Sequence, residues 1–468
     1  MKVLRVNYKN INKVKRLDGS YHLSEGVLYL NKLRKMPNDS LENLASKIFT
    51  AGRNKRVYTD KKFGFPYLSN TDISNFNPFE SCKYNSKKYA YDELSFLKEG
   101  MIVTGRVGAI GQTSYVTAGT EKKNAMGSDN IIRIVPTKKQ NAGYIYAFFA
   151  SKYGNTLLWQ LATGGVQPYI SEEMLKDIPI PKMSESDEQE INGLIIEANE
   201  LRDNANKLLE TTKIKLLSEY LKIGELDTGD YEHFGNHSHS RKTCVFYRNI
   251  NEISSNSINA FNYSKKVENI ENQVKKNNWK PLIECLDKKG FFSTGSFKRL
   301  ELDSKNSVKL INQSDIFNLN KKGKFLARKF IKNQSLTEYG EVLIAGVGTL
   351  GENETFCRVV FSNEELQNQL ISGEFIRMKT NSEVPSGYLF LWLNTDYGFR
   401  FIRKTQSGTK LCRPIPKLLE TLIVPIIDED LMIDIDIKVK EAHTWLFNAS
   451  VKEKSAIERI EKIIDLWQ

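Results

Sequence analysis

Cysteine is scarce: five residues in 468, at Cys82, Cys244, Cys285, Cys357 and Cys412, with no C-x-x-C pair among them. An odd, scattered set excludes a disulfide framework and a thiolate zinc site, and reduced thiols suit the cytoplasm. Long apolar runs are missing too. Nothing approaches the roughly 20 residues that span a bilayer, and the opening Met1-Lys-Val-Leu-Arg-Val6 has no signal-peptide pattern. The expectation is a soluble, cytoplasmic chain without a membrane partner.

The motifs of several chemistries are also absent. Gly111 is followed by Gln112 and Gly351 by Glu352, so there is no phosphate-binding G-x-x-x-x-G-K-[ST] loop. Asn77-Pro78-Phe79 lacks the second proline of an amino-methyltransferase motif, and no glycine motif for a methyl donor accompanies it. No serine–histidine pairing or acidic metal cluster supports a nuclease. Gly346-Val-Gly348-Thr-Leu-Gly351 is formally a dinucleotide G-x-G-x-x-G, but no helix pattern or acidic residue follows where that use needs one. These glycines read instead as a strand-turn-strand with positive φ. No catalytic residue, metal or cofactor is expected.

What is abundant is positive charge. Lys and Arg number 68 against 56 Asp and Glu, a net charge of +12 that suits a polyanion such as nucleic acid. The length calls for two or three domains, and self-comparison says how they are related. Gly100–Gly111 aligns with Gly340–Gly351 at an offset of 240. Ser128–Arg133 aligns with Ser372–Arg377, and Gly143–Gly154 with Gly387–Gly398, at an offset of 244. Tyr67–Ile73 pairs with Leu310–Ile316, and Ile178-Pro-Ile-Pro181 with Leu422-Ile-Val-Pro425.

A charged, periodic stretch follows each closing proline. Ile191, Leu194, Ala198, Leu201, Ala205 and Leu208 line one face of a helix over about Ser186–Leu221, roughly 50 Å long at about 1.5 Å per residue. Ala442, Trp445, Ala449, Ala456, Ile460 and Ile463 line a second, whose opening (Leu431, Ile433, Ile435) alternates like a strand. The two apolar seams can bury one another if the helices run antiparallel. Between the copies, 224–241 reads as a linker, and its His233, His237 and His239 as a solvated turn.

Two kinds of loop carry basic residues. Arg53, Lys55 and Arg56 lie in one copy, with Lys298 and Arg299 at a comparable place in the other. Gln167 precedes Pro168 as Arg413 precedes Pro414, with Lys410 nearby, and Arg106 sits in the first glycine turn. Such side chains anchor phosphates or read base edges.

Together, Gly100–Gly111, Gly143-Tyr with its apolar helix to Gly154, Gly165-x-Gln167-Pro168-x-Ile170, Ile178-Pro-Ile-Pro181 and Ala198-x-x-Leu201-Arg202-x-x-Ala205 make the chain resemble the specificity subunits of type I restriction-modification systems. The second copy departs from the pattern, with Cys412-Arg413 in place of the glutamine step. The resemblance implies an α+β fold of two homologous target recognition domains (1–185 and 242–427), separated by a pair of antiparallel coiled-coil helices (186–223 and 428–468). Each domain would read one half of an interrupted DNA site, and the helices would set the gap. Two modification subunits, docked on helices carrying Ile191, Leu194, Ala198, Leu201, Ala205, Ala442, Trp445 and Ala449, would supply the methyl donor. Motor and nuclease subunits would use the ATP. The residues alone leave open another DNA-modification defence complex, an enzyme with an unfamiliar site, and a stand-alone regulator or scaffold.

Overall fold

The computed structural model describes residues 5–8, 11, 16–53, 55–89, 92–108, 110–231 and 245–467. His233, His237 and His239 lie outside them. The chain divides into two compact units, residues 1–203 with 448–468, and residues 204–447. Two long helices, Glu185–Lys215 and Glu429–Leu466, each contribute one part to each unit. Among the described residues no helix is long and apolar enough to cross a membrane.

The first unit holds an antiparallel sheet of Ala45–Thr50 (β1), Ile102–Gly105 (β2), Thr113–Tyr115 (β3) and Ile131–Pro136 (β4), ordered β1-β4-β2-β3. Beside it lies the helix Ala142–Ala150, which is buried from Ala142 to Phe149. With no polar face it can exist only as a core element. The second unit repeats the plan with Val342–Ala345 (β5), Val359–Phe361 (β6) and Phe375–Met378 (β7), ordered β6-β5-β7. Its core helix, Ser386–Leu393, is buried from Gly387 to Leu393. In each unit a short strand also pairs in parallel with a distant one, Leu68 opposite Gly127 and Ile311 opposite Ile371.

The same contacts tie each core helix to a long one and to the closing proline before it. Gly143 N donates to Asn192 Oδ1 at 2.8 Å, and Gly387 N to Asp436 Oδ1 at 2.7 Å. Tyr144 OH donates to the Pro181 carbonyl at 2.6 Å, and Tyr388 OH to that of Pro425 at 2.7 Å. Glycine is demanded by close approach here: a Cβ on Gly143 would lie 2.8 Å from Asn192 Oδ1, and one on Gly387 2.7 Å from Asp436 Oδ1. Gly154 and Gly398, where the following helix crosses the core helix, would press a Cβ onto the backbone of Phe148 and Trp392.

The turn glycines follow the sequence expectation in one unit and depart from it in the other. Gly108 and Gly111 have φ of +75° and +79°, joining β2 to β3. Gly346, Gly348 and Gly351 are absent from the positive-φ positions. The second unit replaces the tight turn by a loop from Gly346 to Arg358, and its glycines serve packing: a Cβ on Gly346 would lie 2.8 Å from the Glu374 carbonyl.

Burial along the first long helix falls on Ile191, Ile195, Ala198, Arg202, Ala205, Leu209 and Thr212, alternating four and three residues. That seam shares Ile191, Ala198 and Ala205 with the apolar stripe read from sequence and is one position off it at the alternate steps, where Leu194, Leu201 and Leu208 are half-buried. At Arg202 the difference is a polar layer that hydropathy cannot see. Arg202 pairs with Glu453 of the second long helix, whose other oxygen accepts from Tyr146 of the core helix. Arg459 pairs with Asp187 and Glu190, and Lys452 with Glu197, so within this unit the two helices run antiparallel. At an offset of 244, Tyr146, Arg202 and Leu209 correspond to Phe390, Leu446 and Glu453, and in the second unit Phe390, Leu446 and Leu209 all belong to or pack against its apolar core.

The second unit has its own buried polar group. His443 lies between the rings of Phe361 and Phe390, at 4.9 and 5.1 Å. Burial, aided by Lys321 and Lys213, pushes its imidazole from 6.5 down to about 3, so it is neutral at neutral pH.

Three outcomes are expected in thermal and denaturant unfolding. Gly154→Ala should cost about 1–3 kcal/mol through overpacking, whereas Gly193→Ala, with nothing within 4 Å of the new methyl, should gain about 0.5–1 kcal/mol of helix propensity; equal effects would remove the close-crossing account. Glu453→Leu alone should cost about 3–5 kcal/mol by stranding Arg202, while the triple change Tyr146→Phe, Arg202→Leu, Glu453→Leu should be neutral or stabilising by about 1–4 kcal/mol. A triple variant as unstable as the single one would contradict this. The depressed imidazole binds no proton in the folded state where the unfolded chain does, so stability should fall as pH drops below about 6.5, approaching about 1.4 kcal/mol per unit. His443→Leu should flatten the slope between about pH 6.5 and pH 4.5, and an unchanged slope would exclude His443 as its source.

Candidate nucleic-acid interface

In the first unit the glycine turn is the hub of a loop cluster. Arg106 N donates to the Asn130 carbonyl at 2.8 Å, Gly108 N to that of Pro168 at 3.0 Å, and Asn70 Nδ2 to that of Val107 at 2.8 Å. The second unit makes the matching set: Gly346 N to Glu374 O at 3.0 Å, Gly348 N to Cys412 O at 3.2 Å, and Gln313 Nε2 to Val347 O at 2.5 Å. Hydrogen bonds to main-chain carbonyls thus fix the position of each loop, while the side chains of the loop itself can differ.

On this frame stand two hairpin tips. Thr163 and Tyr169 exchange both backbone hydrogen bonds, at 3.0 and 2.8 Å, and present Gly164, Gly165, Val166 and Gln167 to solvent. Gln406–Ser407 pairs with Arg413–Pro414, leaving Lys410, Leu411 and Arg413 exposed. Gly164 and Gly408, at φ of +94° and +103°, let the chain reverse. Arg106 is half-buried, with a buried Nε that has no acceptor, so its main chain does more in this cluster than its guanidinium.

Arg53 and Arg56 reach the cluster through a residue that sequence reasoning missed. Asp129, 11% exposed, pairs with Arg56 and lies 3.9 Å from Arg53 Nε. Arg56 also lies over the Tyr67 ring at 5.7 Å, and Lys55 is exposed. At the offset of 244 the position of Asp129 is Gly373, so the second unit carries no such acid. Lys298 and Arg299 there lie over Phe330 and Phe297 instead, at 4.9 and 5.8 Å. Asp129 stands in the aligned Ser128–Arg133 segment, but comparing copies picks out shared residues, and Asp129 is one that is not shared.

The helix residues expected to meet partners hold the chain together. Ile191, Ala198, Ala205, Ala442 and Ala449 are fully buried in their own units, and Leu194, Leu201 and Trp445 are half-buried. The outer faces of the helices remain open, with Ile214, Ile433, Ile437 and Val451 exposed.

No protein-family model matches the chain, and no curated protein does. Solved structures similar to it over nine-tenths of its length include the S subunit of a type I restriction-modification system from M. genitalium, at 15% identity and a TM-score of 0.37, with 90% of this chain and 95% of that one covered. The HsdS subunit from Thermoanaerobacter tengcongensis matches at 10% identity and a TM-score of 0.24, covering 91% and 95%.

Proposed function

We propose that the chain is the non-catalytic, DNA-reading specificity subunit of a type I restriction-modification complex. In this reading residues 1–185 and 242–427 are two copies of one target recognition domain, each reading one half of an interrupted site in double-stranded DNA. The long helices (186–223 and 428–468) set the gap, with 224–241 as linker. What carries the reading is the loop cluster present in both units: the same three hydrogen bonds to main-chain carbonyls hold a glycine loop and a hairpin tip, beside basic residues that differ between the units. A common frame with private side chains is what two readers of unlike half-sites need. The net charge of +12 supports a polyanionic ligand.

Two modification subunits would dock on the outer faces of the helices, since the seam is occupied within the chain, and would bring the methyl donor. Motor and nuclease subunits would bring the ATP chemistry.

The test is methylome sequencing of a host carrying this gene with and without its candidate modification subunit. One two-part adenine-methylated motif should appear only when both are present. Arg53→Ala with Arg56→Ala should relax one half of that motif, at about 1–3 kcal/mol per lost base contact, and leave the other half intact. No motif despite an assembled complex would overturn the proposal.

A further inference from the structure

Three arginines of the second unit converge on one acidic residue. Arg400 and Arg403, on the helix Asp396–Lys404, fork the Glu352 carboxylate, with Arg400 Nη1 at 2.5 Å from Oε2 and Arg403 Nη2 at 3.3 Å from Oε1. Arg358 Nη2 donates to the main-chain oxygen of Glu352 at 3.0 Å, and Arg403 Nη1 to that of Gly351 at 2.9 Å. The side chains of Arg400 and Arg403 are 9% and 7% exposed, against 31% for Glu352. The carboxylate is therefore the outermost member, and the guanidiniums form the floor.

The charge beneath it does not balance. Among the described residues no other carboxylate lies within 4 Å of the three arginines, and Nε of Arg358 and of Arg400 is buried without an acceptor. Rings cover the guanidinium faces, Phe399 at 4.0 Å from Arg358 and Tyr231 at 3.5 Å from Arg400, which leaves the N–H edges for an anion. Cys357, just before Arg358, holds a φ of +70°, a left-handed backbone that strains a non-glycine residue. Strain of this kind persists where surrounding structure imposes it, often at ligand sites. The corresponding residues of the first unit, Gln112, Thr156 and Trp159 for Glu352, Arg400 and Arg403, carry no charge, so the cluster is no part of the shared frame.

We propose that Arg358, Arg400 and Arg403 form an oxyanion site in which Glu352 stands in for a phosphate and yields to a phosphodiester of the DNA backbone. Carboxylate and phosphate accept the same two-pronged guanidinium geometry. The loop bearing Glu352 is bonded through Gly348 to Cys412, in the hairpin that exposes Lys410 and Arg413, so a phosphate here would lie beside candidate base readers. The choice of DNA as ligand rests on the proposed function; the anion site itself does not.

The full chain is titrated with random-sequence duplex DNA over a series of salt concentrations, and separately with inorganic phosphate, following thermal unfolding. Glu352→Gln should tighten duplex binding by about threefold or more and steepen the salt slope by about one. Adding Arg400→Gln and Arg403→Gln should abolish that gain. Glu354→Gln, an exposed acid two residues on, measures the effect of a lost charge alone and should do much less. Glu352→Asp, which retracts the carboxylate while keeping its charge, should act in the same direction if Glu352→Gln does not fold. Stabilisation of Glu352→Gln by phosphate, with competition against DNA, would assign the site to free phosphate as well; a DNA gain without a phosphate response would restrict it to the phosphodiester. A phosphate response in a chain that binds no duplex would keep the site and remove the DNA-reading function. Equal effects of Glu352→Gln and Glu354→Gln, a gain that survives loss of both arginines, or no response to either ligand would overturn the proposal.

Discussion

A helix without a polar face has to be covered on every side, and much of this protein follows from that requirement. Ala142–Ala150 and Ser386–Leu393 are such helices. A sheet covers part of each, and a long helix the rest, held close by a glycine whose N–H reaches Asn192 or Asp436. Apolar burial at about 25 cal/mol per Å² favours this cover, and the glycines set how near it can come. The long helices are therefore structural members of both cores before they are anything else, with Ile191 and Ile460 in one and Ala205 and Val439 in the other.

The two units answer the same packing problem with different chemistry. Where Tyr146, Arg202 and Glu453 form a buried polar layer, the second unit has Phe390, Leu446 and Leu209. A polar layer of this kind gains little net stability, because the attraction mostly repays desolvation. Its effect is selective: either helix segment placed in the other's environment would leave a charge unpaired. The loop clusters show the same division. Hydrogen bonds to main-chain carbonyls are common to both, whereas Asp129 sits between arginines in one unit and Glu352 over arginines in the other.

Each of these carboxylates reduces the positive charge its loop offers to an anion. The excess of basic residues is thus partly neutralised locally, and arginines that look equally available in the sequence differ in what they can do. Arg53, 90% exposed, is nearly free to move, while Arg56 is anchored by an ion pair and an aromatic ring.

Periodicity and self-alignment carried the reading far. The glycine motifs, the closing prolines and the long helices were legible because backbone geometry demands particular residue types there: glycine where no Cβ fits, and apolar residues on one side of a helix. The strand-like alternation at the opening of the second long helix does not interrupt it, since helical hydrogen bonding continues through Ile433, Ile435 and Ile437 with two of them turned to solvent. What the sequence by itself determined was the order of elements and the correspondence between the two halves, both of which rest on local sterics and hydropathy. Only the tertiary structure decided that the seam runs through Arg202 rather than Leu201, that Asp129 holds Arg56, and that Glu352 gathers three arginines. Those pairings join residues from about 6 to about 250 positions apart, and whether a charge can be buried depends on what the fold brings against it.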